Sequence, residues 1–222
     1  MDNIKKMERT GYTTNYSDKN GEIATTIRND GKVLSLSLRE IEFSGSDFDS
    51  LSPVKEYHPS ELSLFTLNHN CLCSCSISTV IPVPVISNNR LLIGNLHIHL
   101  ELGEPKENGG IDREELFLNL SVENISVKTR KTFGWFDDAL GDIHSQLEKG
   151  VYIKSCFNCA FSAYYPGGYG LFGCLACFRD SRELFVNTVT KTDLLKIWSS
   201  MTEFVQEIYL CPEFLKAPPS SF

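Results

Sequence analysis

Eight cysteines are spread over the 222 residues, and four of them form two Cys-x-x-Cys pairs, Cys156 with Cys159 and Cys174 with Cys177, separated by 14 residues. Each pair sets two thiols on one short piece of chain. Two such pieces facing each other supply the four soft sulfur ligands of a tetrahedral zinc site, at a separation close to the ribbon spacing of about 15 to 20 residues. Four thiolates leave no position for water or substrate, so the expected zinc is structural. The deaminase signature His-x-Glu followed by Pro-Cys-x-x-Cys is absent, Ser155 standing before Cys156. Reduced cysteines packed as small hydrophobes are the competing reading, and redox chemistry is disfavoured because no βαβ pattern surrounds either pair.

Between the pairs runs Y-Y-P-G-G-Y-G-L-F-G. It has neither a Walker lysine nor G-x-G-x-x-G, so phosphate binding is not expected. Tyr164, Tyr165 and Tyr169 instead suit contact with a protein partner, since tyrosine offers large contact area for little entropy; the rings packing over the cysteines is the equal alternative. Elsewhere, His97, His99 and Glu101 share one strand face, a geometry that binds metal but equally describes a solvated sheet face. Cys71, Cys73 and Cys75 read as core packing. His58, His69 and His144 join no recognisable set.

The elements that must position these residues change character along the chain. Residues 1–21 are polar and aperiodic, an expected flexible arm. Residues 22–130 read as an antiparallel β part. Ile23, Thr25 and Ile27 alternate up to Asn29-Asp30-Gly31, and Leu34, Leu36 and Leu38 alternate after it, which predicts a hairpin. S-G-S-D-F-D-S-L-S-P, following Phe43, is expected to cross the surface, with strands resuming at Leu62. Pro82 and Pro84 predict an edge or a crossing. Leu96, Ile98, Leu100 and Leu102 then pair with a strand carrying Leu116, Leu118, Leu120 and Val122. Residues 131–215 are expected to hold two helices and the knuckle, sharing a core with the β part. One helix is predicted over 134–149 and another over 192–208 with Thr192 as a cap, while Ser181–Val186 is ambiguous; residues 216–222 form a tail. The fold class expected is α+β.

With 41% hydrophobic and 22% charged residues the chain has an ordinary globular composition, and its net charge of −7 argues against nucleic acid and for a basic partner. No apolar run follows the N-terminal charges, and no stretch approaches the roughly 18 residues that span a bilayer. A cytoplasmic setting and no membrane association are therefore expected.

C-F-N-C-A-F-S, G-L-F-G-C-L-A-C-F-R and Q-E-I-Y-L-C-P-E-F resemble the C-terminal motifs of an uncharacterised bacterial protein family loosely associated with toxin-immunity proteins. The resemblance covers residues 152–215, with F-S-G-S-D-F-D-S-L a weaker match. It implies Cys156, Cys159, Cys177 and Cys211 as characteristic positions, whereas local spacing favours Cys174 over Cys211 as the fourth ligand. Together these readings predict a non-enzymatic protein-binding protein with a structural zinc, an immunity-type inhibitor of a bacterial toxin being one form of it. A zinc-ribbon nucleic-acid binder, whose only compact basic cluster is Lys128, Arg130 and Lys131, and a metalloenzyme using His97 and His99 are the alternatives.

Overall fold

Apolar-polar alternation carries most of the chain into one antiparallel sheet. The computed structural model describes residues 10–107 and 109–218. Its strands are β1 (Thr10–Asp18), β2 (Gly21–Asn29), β3 (Leu34–Leu38), β4 (Ile41–Gly45), β5 (Ser52–Pro53), β6 (Thr66–Asn68), β7 (Cys71–Cys73) and β8 (Cys75–Ser87). They continue as β9 (Arg90–Leu102), β10 (Glu114–Val122), β11 (Ile125–Lys128), β12 (Tyr152–Ile153), β13 (Ser162–Ala163), β14 (Leu175–Cys177) and β15 (Glu203–Val205). Four helices are α1 (Pro59–Leu62), α2 (Phe136–Gln146), α3 (Arg182–Val186) and α4 (Lys191–Ile197). The class is α+β with β predominating.

The main sheet runs β11-β10-β9-β8-β1-β2-β3-β4-β5, with β12 also paired to β8. The expected pair forms, with Leu96 facing Leu120, Ile98 facing Leu118 and Leu100 facing Leu116. These leucines and isoleucines meet Phe136, Ala139, Leu140 and Ile143 of α2 in one buried cluster that also includes Phe172 and Ile208 from the C-terminal region. The two halves of the chain therefore share a core.

Several expectations are corrected. The predicted arm contains β1, flanked by β2 and β8, while residues 1–9 lie outside the described residues. Its inward row is Tyr12, Thr14 and Tyr16, all buried, and the Thr14 hydroxyl is paired with that of Thr79 at 2.9 Å, so polar composition hid a central strand. The hairpin around Asn29 to Gly31 is only two pairs wide; β2 pairs mainly with β1, and β3 with β4 through a turn at Arg39 and Glu40. The segment after Phe43 does not merely cross the surface, because Asp47, Phe48 and Leu51 are buried. Leu62 ends the short helix α1 instead of opening a strand. Despite its prolines, β8 pairs with β9 along its whole length; the break is on its other edge, where β1 stops at Thr79 and β12 begins at Val85.

In the C-terminal region α2 occupies only the middle of the predicted 134–149 helix, and α3 resolves the ambiguity at 181–186. The long helix expected over 192–208 stops at Ile197. Its cap is Thr190, which forms a capping box with Asp193. A 3-10 turn, Trp198–Ser200, follows, and the Thr202 N–H then donates to the Cys177 carbonyl at 2.7 Å, turning residues 203–205 into a strand beside β14. The broad apolar face read as one helix is thus divided between a helix, a turn and a strand.

Candidate functional site

The two Cys-x-x-Cys pairs adopt different backbone conformations. Cys156 opens a 3-10 turn, and the Cys159 N–H closes it on the Cys156 carbonyl at 3.1 Å. The Ser162 hydroxyl braces the turn with hydrogen bonds to the carbonyls of Cys156 and Cys159, at 2.7 and 3.0 Å. Cys174 and Cys177, by contrast, lie on nearly extended chain at and before β14. Residues three apart in a strand point to opposite faces. Cys177 consequently faces with Leu175, and Cys174 faces away.

Cys211 fills the place that Cys174 leaves. The Cys156 N–H donates to the Tyr209 carbonyl at 2.9 Å and the Phe157 N–H to that of Glu207 at 3.0 Å, which holds the segment ahead of Cys211 against the turn. Cys156, Cys177 and Cys211 pack with Leu175 and Val205 in a small buried cluster apart from the main core. Burial pushes the Cys156 thiol well above its ordinary range, with contributions from Cys211, Cys159 and Cys177 in that order. Arg179 donates to the Cys177 sulfur at 3.7 Å and is ion-paired with Glu203. As the side chains stand, no group of three or more His, Cys, Asp or Glu residues among the described residues forms a metal-holding set. Cys156, Cys177 and Cys211 share the cluster, and Cys159 lies on the turn that Cys156 opens.

Cys174 belongs to a different neighbourhood. Its thiol points to the Phe172 carbonyl at 3.7 Å and is raised by burial, which outweighs a backbone hydrogen bond from Gly170, with smaller contributions from the carboxylates of Asp47 and Glu207. Those two acids latch the glycine-rich loop. Asp47 accepts from the N–H groups of Phe48 and Phe172 at 2.6 and 2.8 Å; Glu207 accepts from the Gly173 N–H at 2.8 Å and the Tyr164 hydroxyl at 3.1 Å. Burial, reinforced by Asp49, raises Asp47, and burial raises Glu207 to about 7. Beside them Asn29 and Gln206 exchange two buried amide hydrogen bonds of 2.7 and 3.0 Å. Gly173 has a φ of +76°, and a Cβ there would stand 2.9 Å from the Ser46 carbonyl oxygen, so glycine is required for the loop to close on this latch.

The latch divides the three tyrosines. Tyr164 is half-buried against the cysteine cluster, whereas Tyr165 and Tyr169 are exposed. Packing of the rings over the cysteines thus describes Tyr164 alone. Asp47, Glu207, Asn29 and Gln206 escaped the sequence reading. Polar residues in S-D-F-D-S and V-Q-E-I look solvated, and only their alternation with buried Phe48, Val205 and Ile208 hinted otherwise.

The histidine face stays apart from the cysteines. His99 has both ring nitrogens engaged, by the Ser78 hydroxyl at 2.7 Å and by Glu101 at 3.0 Å. His97 lines the same shallow cavity on the outer face of the sheet. Cys73 and Cys75 are buried and Cys71 half-buried, with burial raising the Cys75 thiol to about 12. Arg130 is paired with Asp142 and the Lys131 ammonium lies over the Phe133 ring, so two members of the basic cluster are already engaged. Among the described residues, no helix is long and apolar enough to cross a membrane.

Comparison with curated proteins and with solved structures finds no match. A family model does match, over residues 10–162, and it carries no activity: a family of unknown function, DUF6304. The matched segment takes in the whole main sheet, α2 and the Cys156–Cys159 turn, and stops short of Cys174, Cys177 and Cys211. With well over half of the chain matched, the protein belongs to the DUF6304 family.

Proposed function

We propose that this chain is a non-enzymatic protein-binding protein whose C-terminal region is stapled by a structural zinc ion, with Cys156, Cys159, Cys177 and Cys211 as its ligands. The observation that supports the reading is the packing of Cys156, Cys177 and Cys211, from three separate segments, in one buried cluster, with Cys159 on the same turn as Cys156. Four thiolates suit zinc and close its shell, which assigns it a folding role and no reaction. Binding would convert buried neutral thiols to thiolates and would require their side chains to turn towards a common centre. Arg179 at Cys177 then offsets part of the negative charge of a four-sulfur site.

The exposure of Tyr165 and Tyr169 supports the glycine-rich loop as the partner-facing surface. The net charge of −7 favours a basic partner through electrostatic steering. An immunity-type inhibitor of a basic bacterial toxin domain fits that charge.

Metal content of the purified protein tests the staple. One zinc per chain is expected in the wild type and in Cys174→Ser, and loss of it in Cys211→Ser. The opposite pattern in the two variants would return the fourth place to Cys174. A metal-free wild type would leave a core of packed thiols. For the partner, co-purification with a toxin domain encoded beside the gene is expected, and failure to retain any such domain would count against the immunity role.

A further inference from the structure

Strand register lines up a nucleophile, a base and an acid on the outer face of the main sheet. Ser78 of β8 stands opposite His99 of β9, and Glu101 follows two residues later on the same face. Ser78 Oγ lies 2.7 Å from His99 Nδ1, and Glu101 Oε1 lies 3.0 Å from His99 Nε2. A carboxylate only accepts, so the Nε2 hydrogen belongs to the Glu101 contact. In the neutral ring Nδ1 then holds the lone pair, and the Ser78 hydroxyl donates to it. Nucleophile, base and orienting acid are thereby connected in the sense that acyl transfer to serine requires. The two ring nitrogens are exchanged relative to the serine-protease triad, which leaves the proton path the same.

The set opens on a shallow cavity of about 400 Å³, whose lining includes Asn15, Val80, His97 and Phe117 beside Ser78 and His99. His99 is exposed and Ser78 half-buried, so a small molecule reaches both. The floor of this cavity is sheet backbone. Ser78 is paired to Asn15 of β1 as well as to His99, so β8 spends its N–H groups in two ladders and has none left for an oxyanion. Without such preorganised donors an ordinary ester or amide is not activated for attack. An acyl group that already carries a good leaving group, as in a thioester, does not need them. The product, an alkyl ester of serine, has no such leaving group and persists.

We propose that Ser78 is a covalent acyl-acceptor site that takes one short acyl group from a thioester, with His99 as its base and Glu101 as the positioning residue of that base. Ser78 Oγ bonds to the carbonyl carbon as its proton passes to His99 Nδ1. The tetrahedral adduct then breaks its C–S bond, the thiolate leaves with the electron pair, and the proton on His99 follows it. One acyl group taken and kept makes the chain an acceptor and not a hydrolase. The site shares no residue with the cysteine cluster or the glycine-rich loop, so it stands independently of zinc and of a protein partner.

S-phenyl thioacetate is the probe, added to the full chain, with acetylation followed over time by peptide mass mapping. One acetyl group at Ser78 is expected. Ser76, on the same strand face but opposite Glu101 instead of a histidine, is the internal control and should stay unmodified. His99→Gln, at an exposed position, should slow acetylation of Ser78 by about a hundredfold with an unchanged thermal melt. Glu101→Gln should slow it by about tenfold, and Glu101→Asp should recover part of the loss, a graded response that follows the carboxylate and not the packing of the sheet. An unmodified Ser78, equal labelling of Ser76 and Ser78, or equal rates in wild type and His99→Gln would overturn the site. Sustained release of thiophenol beyond the acetyl groups that the protein retains would overturn its assignment as an acceptor.

Discussion

The main sheet and the cysteine-bearing region hold themselves together by different means. In the sheet, long strands with strict alternation bury Leu96, Ile98, Leu100, Leu116, Leu118 and Leu120 against α2, and backbone ladders satisfy the polar groups. After Ile153 the strands shrink to two or three residues, and order comes instead from single buried polar contacts, Asp47 and Glu207 on loop amides and Asn29 with Gln206, and from the small cluster of Cys156, Cys177 and Cys211. A hydrophobic core spreads the cost of one lost side chain over the whole fold. A discrete latch keeps the cost local, because each buried donor or acceptor has one partner and costs free energy when that partner goes. The region that carries the candidate site is therefore the one where single side chains decide the local structure.

That contrast is broken most sharply by a large cavity in the sheet. Leu118→Ala, at a fully buried position of β10, should lower global stability by about 3 kcal/mol in urea denaturation. Amide exchange should accelerate in sheet and C-terminal region alike, since Phe172 and Ile208 share that core. If only the C-terminal amides were exposed, the shared core would be the wrong description.

Asp47→Ala probes the latches with a smaller effect. It leaves the N–H groups of Phe48 and Phe172 without their acceptor, and an unsatisfied buried donor costs about 1 to 3 kcal/mol. A loss of about 2 kcal/mol is expected. Proteolysis or amide exchange should localise it to Gly170–Gly173, with β9 and β10 protected as before. Uniform loss of protection would show that the latch belongs to the global fold.

The same contrast explains what was legible in the sequence. Strands buried on one face advertise themselves, so β9, β10 and their inward rows of apolar residues follow from period-two alternation alone. β1 was hidden because Tyr12, Thr14 and Tyr16 carry polar atoms, and the Thr14 hydroxyl meets that of Thr79 only once a distant strand arrives. The apolar residues between Leu194 and Ile208 fit a helical period, but the Thr202 to Cys177 hydrogen bond recruits the second half into a sheet; tertiary pairing overrides local preference there. Cys-x-x-Cys is the same string twice, a turn at Cys156 and extended chain at Cys174, and spacing cannot say which conformation it takes. Motif resemblance marked Cys211 as characteristic where spacing favoured Cys174. The acids of the latch carried no signal of their own, since a buried carboxylate is distinguished from a solvated one only by what folds over it.

Glu207 offers the finest test, because its effect appears as a slope with pH. Burial raises its carboxyl to about 7, above the ordinary value of 4.5, so the folded chain holds a proton there that the unfolded chain has released. This contribution to stability is complete below about pH 4.5 and is lost as the pH rises through about 7. Asp47, raised by burial and by Asp49, acts in the same direction. His144, lowered by burial, acts in the opposite one as its neutral form is favoured, and Asp193, held near 2 by Thr190 and Lys196, titrates well below this window. The difference between wild type and Glu207→Gln removes the contributions of His144 and Asp193, and the part of the Asp47 shift that Glu207 causes goes with Glu207 in the same direction. A glutamine can still accept from the Gly173 N–H while its amide donates to the Tyr164 oxygen, so the latch survives without a charge. Relative to wild type, the variant should gain about 1 kcal/mol between pH 6 and 8, read from urea midpoints at matched ionic strength. Parallel pH profiles would mean that Glu207 is ionised throughout, and that the hydrogen bonds it accepts outweigh its burial.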